Sequence, residues 1–103
     1  MNNINTKNEK RITDIIFSAI DDYNELNSNT KKIVKNKTTI LYGKNGKLDS
    51  LGLVNLILSI EEQLLEKLGK NITLADDSAF SEKSSPFKNV PSLIKFIQKK
   101  LDD

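Results

Sequence analysis

Leu48-Asp49-Ser50-Leu51-Gly52-Leu53-Val54-Asn55-Leu56-Ile57-Leu58-Ser59-Ile60-Glu61-Glu62-Gln63-Leu64-Leu65 is the most apolar stretch of this chain, and its reading decides the fold. Apolar residues recur in it three and four positions apart, which is the period of a helix. Asp49 and Ser50 stand where that helix begins, and either side chain suits the role of accepting a hydrogen bond from the free N–H groups of a first turn. Leu68-Gly69 closes the run, with Gly at the position that takes a left-handed conformation. A helix over 50–68 follows. Leu51, Val54, Leu58 and Leu65 have the spacing of a core-facing stripe, widened by Leu53, Ile57 and Leu64. Gly52 costs up to about 1 kcal/mol against Ala in a helix, less in its first turn. Asn55 and Ser59 break the run, which is too short to span a bilayer.

Upstream, Gly43-Lys44-Asn45-Gly46 is a turn that keeps Ser50 on an accessible corner. The segment 27–48 has no sustained period. Thr38-Thr39-Ile40-Leu41-Tyr42 has the composition of a short strand, but no partner strand follows. A long ordered loop anchored by Ile33, Val34, Ile40, Leu41 and Tyr42 is the expectation. From Glu9 to Leu26, residues Ile12, Ile15, Ile16, Ala19, Ile20 and Tyr23 mark one face of a first long helix. Asn27-Ser28-Asn29-Thr30 reads as its stop. Residues 1–8 are expected to be a disordered N-terminus, and 9–103 one domain.

Downstream, Ile72-Thr73-Leu74 reads as an extended link that places two apolar side chains in the core. Asp76-Asp77-Ser78-Ala79-Phe80 has the length of a brief helical turn. Glu82 to Pro86 is a loop, with Ser85 biased away from helix by the following proline. Asn89 caps a last helix that tolerates Pro91 in its first turn and presents Val90, Leu93, Ile94, Phe96, Ile97 and Leu101. The fold class is all-α: three long helices plus one short helix, with a long first loop.

Composition narrows the function. The 103 residues contain neither Cys nor His. No disulfide or thiolate chemistry of the chain's own is available, and the usual general base near neutral pH is missing. No Gly-x-Ser-x-Gly elbow surrounds Ser50. These absences weigh against a self-sufficient acyl-transfer enzyme, and no catalytic or metal-ligating residue is assigned. The net charge is +2. The cluster Lys31, Lys32, Lys35 and Lys37 has no aromatic side chain within it to stack on bases, so nucleic acid is not an expected partner. The first residues lack the apolar core of a secretory signal, and cytoplasmic residence is the default expectation.

Asp49-Ser50-Leu51 opening an apolar helix resembles the attachment site of acyl carrier and peptidyl carrier proteins. The order of the later segments is also similar: the Ile72-Thr73-Leu74 link, the short Asp76–Phe80 turn, and Phe87-Lys88-Asn89-Val90-Pro91-Ser92-Leu93-Ile94 entering the last helix. The likeness runs from about Glu9 to Leu101. It implies a four-helix acyl-carrier-like bundle and a 4′-phosphopantetheine group, taken from coenzyme A, on the hydroxyl of Ser50 with Asp49 and Leu51 beside it. It further implies partner contacts from Leu53, Val54, Leu58, Glu61 and Glu62. The implied partners are a phosphopantetheinyl transferase, an acyl- or aminoacyl-activating ligase, and an acyltransferase or synthase, meeting a monomer that does not insert into membranes. The second helix carries fewer carboxylates than that of typical fatty-acid carriers. The pattern Gly46-Lys47-Leu48-Asp49-Ser50-Leu51-Gly52-Leu53-Val54-Asn55-Leu56-Ile57 with the later Ser85-Pro86-Phe87 is most similar to free-standing carriers of dedicated pathways, such as surface-polysaccharide, lipid or secondary-metabolite acylation. The rival reading is a non-enzymatic helical adaptor that keeps the fold without acyl transfer.

Overall fold

A computed structural model describes residues 3–27, 32–75, 77–81 and 84–102, with residues 3–7, 77 and 78 described by backbone alone. Among the described residues three α-helices make the fold: α1 (Asn3–Glu25), α2 (Ser50–Leu68) and α3 (Val90–Asp102). Helix α1 packs against both others. The segment expected to form a short helix holds a four-residue 3-10 turn, Asp77–Phe80, a length at which the tighter helix is common. Of the sequence expectations, Met1, Asn2, the helix stop at Ser28–Thr30, Lys31, Asp76, Glu82 and Lys83 lie outside the described residues.

Helix α1 buries all six residues expected of it: Ile12, Ile15, Ile16, Ala19, Ile20 and Tyr23. Its backbone runs back to Asn3, into the segment read from sequence as disordered. Each residue added to an existing helix fixes one further backbone hydrogen bond, so a nucleus at Glu9 propagates into polar sequence at little cost. Helix α2 has the expected limits. Gly69 closes it at φ 67°, with its N–H reaching the carbonyls of Leu64 and Leu65, a left-handed cap that Gly adopts without steric cost. Among the described residues no helix is long and apolar enough to cross a membrane.

The stripe of α2 that meets the core is not the expected one. Gly52, Leu53, Leu56, Ile57, Ile60, Gln63 and Leu64 are buried. Leu51, Val54, Leu58 and Leu65 are exposed, Leu51 at 71% and Leu58 at 58%. Helix α2 carries two apolar stripes at helical spacing, and periodicity alone does not say which one the rest of the chain covers. The Leu53–Leu64 stripe joins one core cluster with residues of α1, the first connection, Leu74, Phe87 and α3.

The first connection contributes Ile33, Leu41, Tyr42 and Leu48 to the core, while Val34 and Ile40, expected as anchors, are exposed. Asn24 fixes the start of this connection. Its side-chain amide donates to the carbonyl of Ile33 at 2.8 Å and accepts from the N–H of Ile33 at 2.7 Å. The strand-like Thr39–Tyr42 segment does find a partner, but it comes from the residues before α3. The N–H of Leu41 donates to Lys88, that of Tyr42 to Phe87 and that of Val90 to Thr39, at 2.8 to 3.1 Å. Ile40 and Asn89 form an isolated antiparallel bridge. Leu74 is fully buried and Ile72 packs partly against the core.

Two side chains organise the approach to α3. The hydroxyl of buried Ser85 donates to the carbonyl of Ala79 and accepts from the N–H of Phe87, tying the 3-10 turn to the last helix. Asn89 caps α3 by accepting from the N–H of Ser92 at 2.8 Å. The hydroxyl of Ser92 in turn donates to the carbonyl of Pro86 at 2.7 Å. Phe87 is fully buried and meets Phe96 edge-on, with ring centroids 6.0 Å apart.

Candidate functional site at the start of α2

The turn before α2 is built to a tolerance that only Gly meets. The N–H of Gly46 donates to the carbonyl of Gly43 at 2.9 Å, and Asn45 between them sits at φ 71°, a conformation Asn accepts more readily than most residues. A Cβ on Gly46 would collide with the carbonyl oxygen of Leu41 and lie 2.7 Å from its carbonyl carbon. This close approach lets the N–H of Leu48 donate to the carbonyl of Leu41 at 3.0 Å, and Tyr42 and Leu48 form a parallel bridge. The chain from Leu48 to Ser50 is therefore held on Leu41 and Tyr42, which are themselves held on the residues before α3.

Asp49, not Ser50, caps the helix. Its backbone is extended, and its Oδ1 accepts from the N–H of Gly52 at 2.8 Å. The first backbone bond of the helix runs from the N–H of Leu53 to the carbonyl of Asp49 at 2.9 Å. The N–H groups of Ser50 and Leu51 precede that bond and have no partner within the helix ladder. Ser50 is the first residue of α2 and is exposed. Because Asp49 has taken the cap, the hydroxyl of Ser50 is released from it, at the positive end of a helix of 19 residues.

Gly52 has a reason that composition did not disclose. A Cβ there would sit 3.2 Å from Oδ1 of Asp49, Cδ2 of Leu48 and Cε1 of Tyr23. The first turn of α2 thus presses directly onto the ring of Tyr23 from α1. Burial, and then the negative charge of Asp49 nearby, raise the pKa of the Tyr23 phenol above its ordinary value. Tyr23 is the residue of this corner that sequence reading assigned only to the core. The signal was available in a small residue opening an otherwise bulky helix, which marks a close approach.

The other residues expected at the site divide. Leu51, Val54 and Leu58 share the exposed face of α2 with Leu65. Leu53 is fully buried in the core and is withdrawn from the contact surface. Glu62 is exposed. Glu61 is half-buried and engaged, its carboxylate accepting the N–H of Leu74 at 2.7 Å, so it secures the link after α2. Between Ser50 and Glu66 the helix carries no basic residue. What the structure brings together is an unengaged hydroxyl at a helix N-terminus and an apolar stripe, with acidic residues farther along.

Comparison with known proteins adds no family to this picture: no family model, no curated protein and no solved structure matches the chain.

Proposed function

We propose that this protein is an acyl carrier, bearing 4′-phosphopantetheine on Ser50 and passing an acyl or aminoacyl group between enzymes of a specialised pathway. The observation that carries the reading is the division of labour between Asp49 and Ser50. An ordinary capping Ser spends its hydroxyl on the helix, whereas here Asp49 accepts the Gly52 N–H and the Ser50 hydroxyl makes no hydrogen bond among the described residues. An exposed hydroxyl with no internal task suits a covalent acceptor. The three helices with the 3-10 turn at Asp77–Phe80 would then correspond to a carrier bundle with its short third helix, and residues 26–49 to its long first loop.

The residues at the corner fit the group. A phosphodiester on Ser50 would lie beside the unpaired N–H groups of Ser50 and Leu51 and the positive end of α2. The group supplies a thiol on a mobile tether, which the chain itself lacks. Ser50 has no His in the chain to take its proton, so the base for attachment belongs to the transferase. Asp49 holds the helix start in place. Leu51, Val54 and Leu58 supply the apolar surface for partner enzymes, with Glu62 beside them. The modest acidity of α2 makes apolar contact the larger part of recognition and electrostatic steering the smaller.

The test is incubation with coenzyme A, Mg²⁺ and a broad-specificity phosphopantetheinyl transferase. One phosphopantetheine should be added to the wild type and none to Ser50→Ala. An unmodified wild type, or equal modification of the variant, overturns the proposal. An adaptor that merely keeps the fold would show neither modification nor any dependence of partner binding on Ser50.

A further inference from the structure

The exposed face of α2 does not stop at the edge of that helix. Leu26, just beyond the end of α1, is 82% exposed, more than any other large apolar side chain described. It is not on a loose tail. The N–H of Leu26 donates to the carbonyl of Tyr23 at 3.1 Å, and the side-chain amide of Asn27 donates to the same carbonyl at 2.7 Å. Leu26 lines a groove of about 300 Å³ between the two helices, with Asp22 on the α1 side and Asn55, Ser59 and Glu62 on the α2 side. Asn55 and Glu62 follow Leu51 by four and eleven positions, so the α2 wall of the groove adjoins the Leu51–Leu58 stripe. Among the described residues no Lys or Arg lines the groove. The last turn of α1 has no basic residue either, so the carboxylates of Asp22 and Glu25 add to the negative end of the helix dipole, where carboxylates are disfavoured.

We propose that this groove extends the docking surface of the carrier face, and that Leu26, Asp22 and Glu62 receive the enzyme that loads Ser50 through an apolar side chain flanked by Arg or Lys. The inference rests on the carrier reading and adds a second helix to the recognised surface. Apolar continuity with Leu51 and Leu58 supplies the contact area. Asp22 accepts a hydrogen bond from the Ser59 hydroxyl across the groove at 3.2 Å, but neither Asp22 nor Glu62 has an ion-pair partner among the described residues, and their charge selects a basic partner. The same charge argues against a second copy of this chain, because pairing the face with itself would set carboxylates against carboxylates.

Steady-state loading by a broad-specificity phosphopantetheinyl transferase, with coenzyme A and Mg²⁺, tests the inference on four proteins: wild type, Leu26→Ser, Glu62→Gln and Val34→Ser. Val34 is also apolar and exposed but does not line the groove. Leu26→Ser should raise KM about tenfold with kcat unchanged, as loss of a binding contact does. Glu62→Gln should raise KM about threefold at low salt and have no effect at high salt. Val34→Ser should match wild type. Leu26→Ser and Glu62→Gln indistinguishable from wild type would overturn the inference while leaving the carrier reading intact. So would a wild-type dimer in sedimentation that Leu26→Ser dissociates. A wild type that accepts no phosphopantetheine at all removes the carrier reading, and this one with it.

Discussion

Replacing Asp49 with Ala should destabilise the fold, and replacing Ser50 with Ala should not. The contrast follows from which side chain holds the N–H of Gly52. Oδ1 of Asp49 accepts it at 2.8 Å, and Ser50 takes no part. Loss of a capping side chain costs typically about 1 kcal/mol. Loss of a carboxylate at a helix N-terminus costs about 0.3–1 kcal/mol more, although the two effects overlap. Asp49→Ala should therefore lose about 1.5 kcal/mol. With an unfolding entropy of roughly 2 cal/mol/K per residue, that is a fall in Tm of about 7 °C for a chain of this length. Ser50→Ala removes an exposed hydroxyl without a bond and should stay within about 0.5 kcal/mol of wild type. Calorimetric unfolding of the three proteins in one buffer measures both. If Ser50→Ala were as costly as Asp49→Ala, Ser50 would be the working cap, and its hydroxyl would not be spare for anything else.

Gly46→Ala forces a Cβ to within 2.7 Å of the Leu41 carbonyl carbon. Crowding and the lost Leu48–Leu41 hydrogen bond should together cost about 2–4 kcal/mol, so thermal melts should show a large drop; a Tm equal to wild type would refute the close approach. Leu53→Ala should cost about 2–5 kcal/mol as a buried truncation, whereas Leu58→Ala on the exposed face should change stability by less than about 0.5 kcal/mol and act only on partner binding. Equal urea midpoints for these two variants would show that the stripes had been assigned the wrong way round. Tyr23 adds an alkaline signature. Its folded pKa lies above the unfolded value near 10. Its contribution is fully present below that pH, and it declines as the unfolded chain ionises first and until the folded phenol follows. Urea midpoints from roughly pH 9 to 11 should fall less steeply in Tyr23→Phe than in wild type. Tyr42 is common to both proteins, so a difference between the two slopes belongs to Tyr23, and identical slopes would contradict it.

Much of the architecture was legible because local signals agreed with one another. The six apolar positions of α1 lie on one face, Gly69 ends α2, and Asn89 caps α3 where the pattern placed them. The sidedness of α2 was not legible. A helix with two apolar stripes offers two solutions of equal period, and only the packing of the rest of the chain into one core selects Leu53, Ile57 and Leu64 over Leu51, Val54 and Leu58. The pairing of Thr39–Tyr42 with Phe87–Val90 was hidden for a related reason: its two sides are separated in sequence by the whole of α2, and neither is long enough to declare itself a strand. At the candidate site, Ser50 and Asp49 stood out as types suited to a helix start, but only geometry divided the cap from the free hydroxyl. Tyr23 resembles any core aromatic, and only Gly52 opening a bulky helix hints at the close approach to it, while Leu26 carried no local mark of a surface role, since it resembles any residue at the end of a helix.

The most direct measurement is the intact mass of the protein recovered from the cell that naturally makes it, followed by fragmentation to place any modification. The account predicts a population heavier than the bare chain by one phosphopantetheine, with the added group on Ser50. A chain found only at its unmodified mass while the cell actively expresses it would contradict the account.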